Sequence, residues 1–180
     1  KSETKPYKWL FPAEIGMMLY GIFTLLLIAF TYTSIPDPEQ LIWWRVRVML
    51  LTVAMWIVYR LWTCRMIALA RVVLLFVTLG WWYPDTYLLN CHFDNLDHIF
   101  AAWDQYLFGF QPALVWSKAF PSRIVSELMA MGYAFYFLMF ASLVFYIFFK
   151  RYNDFQKVAY ILVSSFFIYY VIFDLFPVAG

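Results

Sequence analysis

The chain has 180 residues, of which 65% are hydrophobic, 24% are aromatic and only 13% are charged. A soluble globular domain carries about 25% charged residues, and a domain of this size leaves roughly a third of its surface in water. This composition therefore excludes an ordinary soluble domain and indicates an integral membrane protein. The net charge of +2 excludes nucleic acid as a partner, because binding it needs a clustered basic face.

Apolar segments follow one another along the chain without a polar linker that would separate two domains. A spanning helix needs about 20 mainly apolar residues, and five segments qualify: 11–33, 41–61, 67–83, 124–149 and 158–176. Prolines or basic residues follow each of them. We predict a single all-α transmembrane domain over 1–180 with about five spanning helices.

The longest polar region lies between the third and fourth segments, at 84–122. Within it, 95–108 places apolar residues such as Ile99, Trp103 and Leu107 at helical spacing, with polar residues between them. This stretch is too short and too charged to cross a membrane. We therefore predict an amphipathic helix that lies along the membrane surface.

Basic residues are distributed unevenly over the ends of the spanning segments, and such residues collect in cytoplasmic loops. If the segments alternate in direction, nine of them share one face: Lys1, Lys5, Lys8, Arg60, Arg65, Arg71, Lys150, Arg151 and Lys157. Eight acids share the other face: Asp37, Glu39, Asp85, Asp94, Asp97, Asp104, Glu127 and Asp174. We predict a cytoplasmic N-terminus and an extracytoplasmic 84–122 region.

Charged residues within the apolar segments are the candidates for a polar site, because a charge at a helix centre costs about 2.5–3.5 kcal/mol on insertion. Glu127 and Asp174 lie near the outer ends of the fourth and fifth segments, and Arg45 and Arg47 near the outer end of the second. Either they line an outward-facing polar site, or their side chains snorkel to the lipid headgroups. Spacing alone leaves both interpretations open.

One cluster contains potential metal ligands: Cys91, His92, Asp94, Asp97 and His98. Its spacing matches no standard zinc pattern. We interpret it as a polar loop followed by an acid that the helix dipole favours at a helix start, and we predict no metal site. The aromatic pairs at helix ends indicate interfacial anchoring, although a pigment or quinone site stays an alternative.

Short motifs in the second half of the chain occur in a fixed order: Trp82-Tyr-Pro-Asp-Thr86, Asn95-Leu-Asp-His-Ile-Phe100, Phe108-Gly-Phe-Gln-Pro-Ala113, Ser126-Glu-Leu-Met129 and Phe176-Pro-Val-Ala-Gly180. In this order they resemble bacterial membrane proteins of the type 2 phosphatidic acid phosphatase superfamily. The similarity is to its inositol phosphorylceramide synthase branch, and it covers a little over half of the chain.

The resemblance implies phosphoryl transfer on sphingolipid or phosphatidate-type lipids at the outer membrane face. The family uses a phosphohistidine route, which needs no metal or other cofactor. Its catalytic histidines follow the Phe-Pro element, so we expect them after Gly180 and expect no catalytic residue in this chain. His92 and His98 do not match those motifs, whereas Arg123, Glu127 and Asp174 are expected to line a substrate vestibule.

On this interpretation the chain is the N-terminal membrane portion of a lipid phosphatase or phosphotransferase in a bacterial inner membrane, with membrane lipids as partners. The 84–122 region would then be periplasmic. The alternative is a non-catalytic structural subunit of a larger membrane complex, with other membrane proteins as partners. The sequence does not distinguish which lipid or acceptor alcohol would be used.

Overall fold

The structure, a computed structural model, describes residues 9–90 and 93–177. These residues form seven α-helices and a short 3₁₀ turn, Tyr152–Asp154. The helices are α1 (Pro12–Phe30), α2 (Pro38–Leu61), α3 (Arg65–Asn90), α4 (Asp97–Phe108), α5 (Pro112–Ala119), α6 (Arg123–Lys150) and α7 (Phe155–Leu175). Five of them, α1, α2, α3, α6 and α7, are long and apolar enough to cross a membrane. The prediction of an all-α membrane protein with five spanning helices is confirmed.

Helices α1, α2, α3 and α7 pack together as a bundle, in which α7 contacts both α1 and α3. Helices α1, α3 and α7 all finish at the same end of the bundle, which we call the α4 end. Buried residues form a cluster at each end and one between them. Phe11 and Phe155 belong to the cluster at the opposite end, Met17 to the middle one, and Ile28 and Leu89 to the one at the α4 end. Met17 and Ile28 share one stripe of α1 because an amphipathic helix repeats its buried positions every three or four residues.

The third helix is longer than the sequence predicts. The Tyr83-Pro84 step predicts an end at Tyr83, yet α3 continues to Asn90. A proline inside a helix removes one hydrogen bond and crowds the carbonyl four residues earlier, which here is that of Gly80. Tertiary contacts hold the extension, since Leu89 is fully buried against the ends of α1 and α2.

The remaining boundaries differ from the predictions by a few residues. The first helix ends at Phe30, the second begins at Pro38, and the last begins at Phe155. The helix predicted over 95–108 is present as α4. The short helix α5 was not predicted, because eight residues carry too little periodicity to be distinguished from a loop.

The segment from α4 to the first part of α6 is packed much less than the bundle. Helix α4 has no buried residue. Between 123 and 139, every side chain that the structure describes is exposed except that of Val125, which is half-buried. Helix α6 packs on α7 and on the 3₁₀ turn, and Val144, Ile147 and Phe148 near its end are buried. We call residues 97–139 the α4–α6 arm.

Candidate functional site

Arg45 of α2 is fully buried inside the α4 end of the bundle. Its Nε donates to Thr24 Oγ1 at 2.9 Å, and its Nη1 donates to Asp85 Oδ2 at 3.0 Å and to the carbonyl oxygen of Leu41 at 3.2 Å. Its guanidinium carbon lies 5.6 Å from the centre of the Trp82 ring. The snorkelling interpretation is therefore wrong for Arg45, because its charge meets partners on α1 and α3 instead of lipid headgroups.

Asp174 of α7 lies in the same half of the bundle and is also fully buried. Its Oδ2 accepts a hydrogen bond of 3.0 Å from the hydroxyl of Tyr20. The Tyr20 ring lies 5.8 Å from the ring of Trp82, over which the guanidinium of Arg45 also lies. These side chains form one group, which we call the polar network: Tyr20, Thr24, Arg45, Trp82, Asp85 and Asp174.

Three atoms of the polar network have no hydrogen-bond partner among the described residues: Arg45 Nη2, Trp82 Nε1 and Asp174 Oδ1. Buried polar groups are nearly always hydrogen-bonded, so these two donors and one acceptor are suited to a water molecule or a small polar group. The polar network contains charge and hydrogen-bonding groups but no histidine, serine or cysteine. It can therefore hold and orient charged groups through its ion pair and its hydrogen bonds.

A second buried ion pair, between Glu14 and Arg71, lies at the opposite end of the bundle. Arg71 Nε donates to Glu14 Oε1 at 2.7 Å, and Arg71 Nη2 donates to Glu14 Oε2 at 2.5 Å. The backbone N–H of Phe11 donates to Glu14 Oε2 at 2.7 Å. The guanidinium carbon of Arg71 also lies 3.6 Å from the centre of the Phe11 ring and 4.9 Å from that of Tyr59. Because both charges are paired and enclosed, we interpret this pair as structural, joining the start of α1 to α3.

Of the three residues predicted to line a vestibule, the structure brings two together. Arg123 Nε donates to Glu127 Oε1 at 2.9 Å, with 91% and 64% of the two side chains exposed. This pair lies in the α4–α6 arm. Asp174 instead belongs to the polar network, where it is bonded to Tyr20.

The other polar candidates have local roles. Arg47 is exposed and lies over the Trp44 ring, with its guanidinium carbon 5.4 Å from the ring centre. Cys91 and His92 lie outside the described residues. Nearby, His98 Nδ1 lies 3.1 Å from the carbonyl oxygen of Asn95 at the start of α4. Within 9–90 and 93–177, no group of three or more His, Cys, Asp or Glu residues is placed to hold a metal ion.

Sequence reasoning did not single out Tyr20, Thr24 or Trp82 as members of a polar site. A signal was present, because Tyr20 and Thr24 recur on the buried stripe of α1 at a spacing of four. Polar side chains on a buried helix stripe indicate a partner across the bundle. The sequence does not show which charged residue is that partner.

The comparisons with known proteins add no identification. No protein-family model, no curated protein and no solved structure matches this chain.

Proposed function

We propose that this chain is the N-terminal membrane portion of a lipid phosphatase or phosphotransferase that is similar to the type 2 phosphatidic acid phosphatases. Its substrates would be sphingolipid or phosphatidate-type lipids, and the reaction would take place at the outer membrane face. The ordered motifs in its second half support the proposal, because they lead up to Phe176-Pro177 as in that family.

The observation that carries the proposal furthest is the position of the polar network. Asp174 lies two residues before Phe176, so one member of the network lies in the last turn of α7, from which the chain leaves the helix. Ionisable groups inside membrane-spanning helices are costly, and they commonly mark functional sites. In phosphoryl transfer, catalysis consists mostly of positioning and of stabilising developing charge. A rigid, charged support at this point suits that task.

The proposal includes an orientation. The N-terminus and the turn between α2 and α3 would lie in the cytoplasm of a bacterium, and the region from the end of α3 to the start of α6 would lie in the periplasm. The distribution of Lys and Arg supports this orientation. It would place the α4 end of the bundle at the outer face, where the family's substrates are processed.

The experiment begins with the source gene. The codons after Gly180 are expected to encode a Ser-x-His-type motif and a second histidine near an aspartate. The complete gene product, reconstituted in vesicles, is then expected to release phosphate from a lipid phosphate or to transfer a phosphoryl headgroup to inositol. Replacement of either histidine by alanine is the control that must abolish both reactions. A stop codon directly after Gly180, or a complete gene product that catalyses neither reaction, would refute the proposal.

A second candidate is a non-catalytic subunit of a larger membrane complex. The specific observation in its favour is the α4–α6 arm, whose aromatic side chains, including Trp103, Trp116 and Phe135, are largely exposed. Aromatic residues are enriched at protein interfaces. This candidate predicts that intact-complex mass spectrometry finds the chain bound to other subunits at a fixed ratio, and detection of the free chain alone would exclude it.

A further inference from the structure

The end of α7 has a carbonyl that the helix cannot satisfy. In an α-helix the carbonyl of residue i accepts a hydrogen bond from the N–H of residue i+4, so the partner of the Phe173 carbonyl would be residue 177. That residue is Pro177, which has no N–H. In the structure the side chain of Asn90 takes this role, and its Nδ2 donates to the Phe173 carbonyl oxygen at 3.0 Å.

Pro177 itself also accepts a hydrogen bond, from the residue that precedes α4. Its carbonyl oxygen accepts a hydrogen bond of 3.0 Å from the backbone N–H of Leu96. Leu96 is the residue that precedes the first turn of α4, so its N–H has no acceptor within that helix. Asn90 is the last residue of α3, and Leu96 directly precedes α4. These two residues therefore bond to the chain on both sides of Leu175, the last residue of α7.

The extension of α3 past Pro84 makes this arrangement possible. Had α3 ended at Tyr83, as the sequence predicts, Asn90 would belong to an unstructured loop. The extra turns, at about 1.5 Å per residue, carry Asn90 along the bundle to the last turn of α7. Independently, the hydrogen bond from Tyr20 to Asp174 holds the last turn of α7 against α1, so loss of the Asn90 contact would free the chain after that turn and leave the bundle in place.

We propose that Asn90 is a positioning residue. Together with the Leu96 N–H, it sets the direction in which the chain leaves α7, and it couples that direction to the surface helix α4. The consequence for catalysis rests on the proposed function, in which the chain after Pro177 carries the reactive histidines. Movement of α4 at the membrane surface would then shift those histidines.

Amide hydrogen exchange of the full chain in lipid nanodiscs tests the contact without any assay of activity. Asn90→Asp keeps the size of the side chain and removes its N–H donor. We expect exchange at the amides of both Leu96 and Phe176 to become about fivefold faster, as for the loss of one hydrogen bond. Asn90→Gln retains the N–H donor, so the amides of Leu96 and Phe176 should exchange more slowly in this variant than in Asn90→Asp. Asn153→Asp is the matched control, because Asn153 is exposed at the opposite end of the bundle.

The wild-type protein supplies a measurement that does not depend on how a variant folds. The Leu96 amide should be protected although it precedes α4, and exchange at the rate of a free peptide would overturn the proposal. Faster exchange at Phe176 alone in Asn90→Asp would refute the coupling to α4. No change at either amide would refute the positioning role.

Turnover of the complete gene product tests the catalytic consequence. Asn90→Asp should lower kcat with KM unchanged, and Asn90→Gln should restore part of the loss. Unchanged kcat together with faster amide exchange would show that the direction in which the chain leaves α7 does not matter for the reaction. A complete product without activity would count against the proposed function, and the exchange results would still decide the role of Asn90.

Discussion

The Glu14–Arg71 pair offers the sharpest test of how this bundle is held together. Both side chains are fully buried, and the carboxylate accepts two hydrogen bonds from Arg71 and one from the backbone of Phe11. Removing one partner of such a pair leaves an uncompensated buried charge, which typically costs about 3–5 kcal/mol. Glu14→Gln keeps one oxygen acceptor, so we expect a loss near the lower end of that range, about 3 kcal/mol.

A double variant separates the charge from the packing. Glu14→Leu should destabilise the bundle more than Glu14→Gln, because the backbone N–H of Phe11 also loses its acceptor. An unsatisfied buried donor of this kind costs about 1–3 kcal/mol. Arg71→Met in addition removes the second charge, and apolar replacement of a whole buried pair is often nearly neutral. We therefore expect the double variant to recover most of the stability that Glu14→Leu loses.

The free energy of unfolding can be measured in mixed micelles of increasing denaturing detergent, followed by tryptophan fluorescence. A loss of about 3 kcal/mol corresponds to a change of roughly 150-fold in the unfolding constant. Glu127→Gln is the matched control, since its exposed pair with Arg123 should contribute no more than about 0.5 kcal/mol. The reasoning is refuted if Glu14→Gln costs no more than this control, or if the double variant is less stable than Glu14→Leu.

Three further predictions concern the rest of the chain. Asp174→Leu leaves the hydroxyl of Tyr20 without an acceptor and should lower the free energy of unfolding by about 1–3 kcal/mol. Asp174→Asn keeps an acceptor and should lower it less in the same unfolding assay. Gly80→Ala should stabilise α3 by about 0.5–1 kcal/mol, because glycine is unfavourable inside a helix. A methyl group at this position meets nothing within 4 Å. A lower stability of the variant would mean that Pro84 needs a glycine four residues before it. In intact cells a membrane-impermeant maleimide should label Asp104→Cys in a Cys91→Ser background and leave Cys64 unlabelled. The reverse result would invert the proposed orientation.

Local features of the sequence were enough to predict the architecture. The number of spanning helices follows from the length of each apolar segment, because bilayer thickness sets the length that a helix needs. Helix α4 was predicted because its periodicity is visible over 95–108. The end of α3 was predicted wrongly because proline disfavours helix continuation locally, and the sequence does not show that Leu89 and Asn90 find tertiary partners that outweigh this preference.

The candidate site depended on information of a different kind. Arg45 and Asp85 are 40 residues apart in the sequence, and Glu14 and Arg71 are 57 apart. Hydropathy marks where each charge lies along its own helix, but it does not report how that helix is rotated or which neighbour it faces. Two interpretations of Arg45 therefore stood open until packing placed its guanidinium between α1 and α3. The sequence by itself determined the helices and their charges, and only the tertiary structure decided the partners, because a partner depends on the relative rotation of packed helices.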